Sequence, residues 1–270
     1  MKDSTTAANA TANATAATAP WPYPRWIAHR GAGKLAPENT LAAFRLGASH
    51  GYRMFECDVK LSADGEPFLL HDATLQRTTN AAECLPAGES TVAGEHAWAT
   101  LAQLDAGRWH SPAFAGERLP TLDAVAAWCL ENDCLLNIEI KPTPGTERKT
   151  GEVVARRAAQ LWQGSATPPL LTSFQTEALA GARTAAPALP RGLLLDALPA
   201  DWLDTARMLR CVAVVCKHTL WNADSVALAK SAGLRCLAYT VNDAAEAERL
   251  WGLGLDGLIT DRVNGFDPAC

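Results

Sequence analysis

From Trp26 to Asp261 the chain alternates short apolar runs with longer stretches in which apolar side chains recur every three or four positions. Ile27-Ala28 is the first run and leads into His29 and Arg30. A helix then begins at Asn39 or Thr40, either of which can serve as its cap. Met54-Phe55 opens a second run that carries Glu56 and Asp58, and Phe68-Leu69-Leu70 delivers His71. Residues 73–120 are turn-rich, and only Leu101 to Asp105 suggests a short helix. Regularity returns with a helix over Leu122 to Glu131, capped by Thr121. Strands follow at Leu135 to Lys141, Leu170 to Thr172, Gly192 to Leu195, Val212 to Val215, Arg235 to Thr240 and Gly257 to Thr260. Helical stretches separate them at Glu152 to Trp162, Glu177 to Ala185, Trp202 to Leu209, Asp224 to Ser231 and Ala244 to Trp251.

About eight strands alternating with helices predict a parallel α/β fold, and eight such units suit a closed barrel. Periodicity alone also admits an open doubly wound sheet. The polar residues separate the two: His29, Glu56, Glu139, Lys141, Ser173, Tyr239 and Asp261 fall at or just past the C-terminal ends of different strands. A barrel brings many strand ends round one centre, whereas an open sheet gathers its polar residues at a switch point. The expectation is a TIM (β/α)8 barrel with a small insertion after the second strand, filling residues 21–270 as one catalytic domain. Within it, residues 73–120 form a cap beside the mouth, since so long a connection is uncommon unless it serves a site. Residues 1–20, almost entirely Ala, Thr and Asn, cannot offset the entropy of ordering and read as a disordered tail.

Composition narrows the function. At 270 residues and 48% hydrophobic, the chain can bury the core of a barrel. A formal net charge of −5 supplies no general basic field for nucleic acid or an anionic membrane, so an anionic substrate needs local positive charge. No apolar run suggests a membrane span, and the first residues lack the basic-then-apolar pattern of a secretory signal. The eight cysteines invite a disulfide reading that their spacing does not support: Cys129 and Cys134, like Cys211 and Cys216, are five positions apart, and Cys57 and Cys236 fall in strands. They read as small buried hydrophobes in a reducing cytoplasm.

Candidate chemistry concentrates at the strand ends. Glu56 and Asp58 stand two apart on one strand and therefore share a face, where they repel unless a proton or cation lies between them. Glu139 and Lys141 repeat that spacing on another strand. If both strands line one barrel, three carboxylates converge, and an oxygen-only ligand set favours a hard divalent cation, Mg²⁺ or Ca²⁺. The bland alternative is that these acids merely pair with Arg30 and Lys141. Those two cations suit phosphate oxygens, Arg as a planar fork and Lys as a point charge. His29 and His71 supply groups that titrate near neutrality, one to activate an attacking oxygen and the other to protonate a leaving alkoxide.

Taken together, His29-Arg30-Gly31, Pro37-Glu38-Asn39-Thr40, Glu56-x-Asp58, His71-Asp72, Glu139-Ile140-Lys141 and Tyr239-Thr240-Val241-Asn242 resemble the glycerophosphodiester phosphodiesterase family, from about Trp26 to Asp261. Leu119-Pro120-Thr121-Leu122 and the segment ending Ser173-Phe174 are similar too. The resemblance is nearest to bacterial cytoplasmic members associated with glycerol-3-phosphate uptake. It implies a TIM barrel that hydrolyses small glycerophosphodiesters to glycerol 3-phosphate and an alcohol with a divalent cation. It further implies His29 and His71 as the acid–base pair and Glu56, Asp58 and Glu139 as metal ligands. Arg30 and Lys141 would bind phosphate, while Ser173, Phe174 and Tyr239 shape the pocket. Thr260-Asp261 is followed by Arg262-Val263 where the family often has x-Pro, and the insertion around Glu83 to Val92 is long; neither departure is expected to touch the catalytic set. Two other readings stay open: a phospholipase acting on lipid head groups, and a non-catalytic phosphate-binding module.

Overall fold

The computed structural model describes residues 20–269. The tail expected over residues 1–20 therefore lies, apart from Pro20, outside the described residues. The barrel strands are β1 (Trp26–Ala28), β2 (Met54–Leu61), β4 (Leu135–Ile140), β5 (Leu170–Ser173), β6 (Arg191–Leu195), β7 (Ala213–Lys217), β8 (Arg235–Tyr239) and β9 (Gly257–Thr260). They are parallel neighbours in that order, and β1 pairs with both β9 and β2, which closes the cylinder. The remaining strand, β3 (Pro67–Leu69), runs antiparallel to β2 and returns the chain to the mouth at His71. The structure is thus a closed TIM (β/α)8 barrel with an insertion after its second barrel strand.

Helices α1 (Leu41–Ser49), α2 (Ala81–Cys84), α3 (Trp98–Leu101), α4 (Leu122–Glu131), α5 (Glu147–Leu161), α6 (Thr176–Ala185), α7 (Trp202–Met208), α8 (Ala223–Ser231) and α9 (Ala244–Gly252) complete the fold. Thr40, rather than Asn39, caps α1 by accepting from the Ala43 amide, and Thr121 caps α4 in the same way. α5 starts five residues ahead of its apolar periodicity, because its first turn, Glu147-Arg148-Lys149, is polar. In the insertion two short helices, α2 and α3, stand in place of the single one expected at Leu101 to Asp105. Asp105 is taken up by a turn, its carboxylate accepting from the amides of Gly107, Arg108 and Gly116.

Two faces of β2 explain the layering. Phe55, Cys57, Val59 and Leu61 point outward into the core between barrel and helices, whereas Met54 points into the barrel interior with Ile27, Leu170, Leu194, Val215, Leu237 and Ile259. Each fully buried Phe or Leu contributes roughly 1.5–3 kcal/mol of transfer free energy. The period of two then forces Glu56, Asp58 and Lys60 onto the inner face, above that apolar plug. The insertion has a hydrophobic cluster of its own, including Phe68, Leu70, Leu75, Leu101, Leu104 and Leu119. Among the described residues no helix is long and apolar enough to cross a membrane.

Candidate active site

Strand register assembles the acids. β2 and β4 pair with Glu56 opposite Asn137 and Asp58 opposite Glu139, so two positions eighty-one apart become lateral neighbours. One carboxylate oxygen from each of Glu56, Asp58 and Glu139 lies within 4.8 Å of the others, and all three side chains are buried. Above them opens a cavity of about 190 Å³ whose lining includes His29, Arg30, Glu56, His71, Glu139, Lys141, Phe174 and Tyr239. It lies over the C-terminal ends of the strands, the face where TIM barrels carry their chemistry.

The β1–α1 loop is shaped to deliver two of these groups. Arg30 and Asn39 both have positive φ, 50° and 60°, an uncommon backbone state for residues other than glycine. Gly33 (φ 57°) packs so closely on the Asp261 backbone that a Cβ would approach its carbonyl oxygen to 2.1 Å. The Arg30 amide donates to Glu56 at 3.1 Å, and its guanidinium Nε lies 3.2 Å from Asp58 Oδ2. Asn39 clasps Asp58 from behind, its Nδ2 donating to Oδ2 at 2.8 Å while its Oδ1 accepts from the Asp58 amide at 3.1 Å.

Both histidines are held through Nδ1. His29 Nδ1 is 2.6 Å from Asp261 Oδ1, and His71 Nδ1 is 2.8 Å from Asp72 Oδ1. An ionised carboxylate only accepts, so each Nδ1 carries the hydrogen and each Nε2 is the nitrogen left for the cavity. His29 Nε2 lies 3.7 Å from Glu56 Oε2. Burial pulls the His71 imidazole below its ordinary value, more than the facing Asp58 raises it. Asp261 is pulled toward deprotonation by His29 and Asn242, which outweigh its burial and bring it down to about 2.

The charges do not balance within the acidic cluster. Lys141 Nζ stands 3.1 Å from Glu139 and 3.5 Å from Asp58, so Arg30 and Lys141 do pair with the acids. Burial raises Asp58, but Arg30 and Lys141 override it and hold the carboxyl far below the usual range. Glu56 has no such cation at its carboxylate: burial, then Asp58 and Glu139, push it well up. Burial and Asp58 likewise raise Glu139. Asp58 Oδ1 has no hydrogen-bond partner although it is buried. Three carboxylates against two cations, with one oxygen unsatisfied, are a donor set that fits a hard divalent ion.

Several neighbours complete the surroundings of these groups. Lys60 is buried, pushed down to about 8 by desolvation, and its ammonium donates to the Lys141 carbonyl at 3.2 Å. Asn242 donates to Asp261 at 3.0 Å, and Arg262 donates to the Asn242 carbonyl. The strand end at Thr260-Asp261 therefore reaches His29, and the Arg262 that follows it is tied in through Asn242. Asp261, one of the polar residues expected at the strand ends, directly follows the last strand, but nothing in that position announces its pairing with His29. Ser173 also differs from its expected place. Its hydroxyl donates to the Ile140 carbonyl at 2.6 Å and accepts from the Gln175 amide, so it ties β4 to β5 instead of lining the cavity. Phe174 and Tyr239 do line it, edge to face with centroids 5.7 Å apart.

Residues 29–265 match the model of the glycerophosphoryl diester phosphodiesterase family. A glycerophosphodiester phosphodiesterase of Caldanaerobacter subterraneus is 34% identical over 242 residues, covering 87% of this chain and 93% of the relative. Among solved structures, a phosphodiesterase of Oleispira antarctica in complex with the product sn-glycerol-3-phosphate superposes with a TM-score of 0.79 at 33% identity, over 88% of this chain and 93% of that one. A glycerophosphodiester phosphodiesterase of Agrobacterium tumefaciens gives a TM-score of 0.74 at 27% identity, over 92% and 100% of the two chains.

Proposed function

This chain belongs to the glycerophosphoryl diester phosphodiesterase family, and we propose that it hydrolyses small glycerophosphodiesters to glycerol 3-phosphate and an alcohol with a divalent cation, Mg²⁺ or Ca²⁺. The observation that carries this reading is the pair of carboxylate-held imidazoles, His29 and His71, lining one cavity with Glu56, Glu139, Arg30 and Lys141. Glu56, Asp58 and Glu139 would hold the ion. When bound, it supplies positive charge against the phosphoryl oxygens.

The other steps belong to the chain's own side chains. Arg30 and Lys141 bind the anionic phosphodiester and stabilise charge as it develops on the transferring group. One imidazole takes a proton at Nε2 from the attacking oxygen, and the other delivers a proton from Nε2 to the departing alkoxide. Asp261 and Asp72 stabilise whichever ring is cationic and keep both Nε2 atoms aimed at the cavity. Phe174 and Tyr239 give the glycerol moiety an apolar wall; Ser173 holds the β4–β5 strand ends that carry Lys141 and Phe174. The substrate is a small molecule, recognised by its phosphate and glycerol. We assign the activity to a reducing compartment, the cytoplasm, which suits the seven free cysteines among the described residues, six of them buried.

The test is release of glycerol 3-phosphate from glycerophosphocholine, with and without EDTA, by the wild type and by His29→Ala and His71→Ala. Either substitution should cut turnover by roughly 10²–10⁴-fold while folding is preserved. Wild-type turnover in both variants would remove the acid–base pair, and absence of release by the wild type would favour a phosphate-binding role without catalysis.

A further inference from the structure

One guanidinium lies between Arg30 and His71 and reaches both through a carboxylate. Arg77, in the early part of the insertion, is 44% exposed at its side chain, yet all three of its guanidinium nitrogens are engaged. Nη1 and Nη2 donate in parallel to the two oxygens of Glu38 at 2.8 and 2.7 Å. Nε donates to Asp72 Oδ2 at 2.6 Å, and Nη2 also reaches Asp72 Oδ1 at 3.0 Å.

The oxygens that Nη2 contacts are the ones that hold the machinery. Glu38 Oε1 also accepts from Arg30 Nη1 at 2.8 Å, and Asp72 Oδ1 is the atom facing His71 Nδ1. A single nitrogen of Arg77 thus stands one carboxylate away from each. We propose that Arg77 is a positioning residue for phosphodiester hydrolysis: it locks Glu38 and Asp72 so that Arg30 and His71 keep a fixed separation on the cavity wall. This inference rests on the roles given above to Arg30 and His71.

Three physical points support it. Asp72 follows β3 and Glu38 precedes α1, so no backbone pairing fixes one against the other; the guanidinium fork does. A Lys in its place is a single point charge and cannot make the four directed bonds. Exposed ion pairs add little to stability, so a purely structural Arg77 would be silent in kinetics. A misplaced catalytic group, by contrast, loses rate steeply with distance.

The experiment measures kcat and KM for glycerophosphocholine with saturating Mg²⁺, on the full chain, for wild type, Arg77→Gln, Arg77→Lys and His71→Ala, alone and combined. Arg77→Gln should lower kcat by about 10–100-fold, the range for lost supporting hydrogen bonds, and raise KM by loosening Glu38 on Arg30, at a nearly unchanged melting temperature. Arg77→Lys should not restore it. On a His71→Ala background the kcat effect of Arg77→Gln should shrink toward unity, because the ring it orients is gone, while the rise in KM that acts through Arg30 persists. Asp72→Asn and Glu38→Gln, which cut one arm each, should reproduce the kcat and the KM part separately. Wild-type kcat and KM in Arg77→Gln, or an undiminished kcat loss on the His71→Ala background, overturns the clamp while leaving the functional reading intact. A His71→Ala enzyme as active as wild type would overturn both.

Discussion

His29 Nδ1 and Asp261 Oδ1 meet at 2.6 Å although 232 positions separate them. β1 and β9 make this inevitable: they pair with Ala28 opposite Thr260, so the next residue on each strand emerges at the same point of the mouth. Asp261→Asn keeps the shape but can present an amide N–H to the ring and favour the wrong tautomer. Turnover should fall by about 10²–10⁴-fold, comparable to losing the tautomer control of a carboxylate–imidazole pair in a serine protease triad. Glycerol 3-phosphate release by the purified variant checks it, and a loss under threefold would show that the ring needs no such partner.

The same contact sets a pH window for stability. Asp261 has its carboxyl depressed from 3.8 to about 2 in the fold. A depressed acid stabilises the native state above its unfolded value and loses that contribution as the pH falls through the folded one. The shift corresponds to about 2 kcal/mol. Urea denaturation should find wild type ahead of Asp261→Asn at pH 6, with the gap closing between pH 4 and roughly 2. A gap of constant size down that range would contradict the assignment.

Cation dependence follows from the surplus carboxylate at Glu56. EDTA should abolish turnover, and Mg²⁺ or Ca²⁺ should restore it. Independently of activity, either ion should raise the melting temperature of wild type, since a ligand that binds only the native state stabilises it. In Glu56→Gln the upward shift should be lost or much reduced. An equal shift in both proteins would put the ion elsewhere.

Gly33→Ala tests the loop. Its Cβ would strike the Asp261 backbone, and the residue sits at φ 57°. Adding left-handed strain to overpacking, the substitution should cost roughly 2–4 kcal/mol and depress turnover by moving Asp261 off His29. Denaturant midpoints and kcat report the two effects. Wild-type values for both would mean that the loop yields freely.

Much of the fold was legible because burial leaves a periodic trace. The apolar strand runs are interrupted at Glu56 and Glu139 and close at Tyr239, and the helices between them repeat at their own period. Positions fixed by polar contacts across the chain leave no such trace. Asn39 looks like an N-cap, yet Thr40 does that work and Asn39 holds Asp58. Arg77 lies in turn-rich sequence, and only the folded insertion carries it to Glu38 and Asp72. Ser173 errs in the opposite direction: its place at a strand end suggested the pocket, but a carbonyl on the neighbouring strand had already claimed its hydroxyl. Strand-end position narrows the candidates, and the hydrogen-bond partners then sort them.

The insertion buries a nucleus of its own around Phe68, Leu101 and Leu104 and reaches toward the reacting groups through Arg77. Its outlying loops can therefore diverge in length and chemistry without disturbing the barrel, so long as that one arginine stays in place. Lengthening or shortening such a loop would leave the barrel interior and the residues that line the cavity where they are.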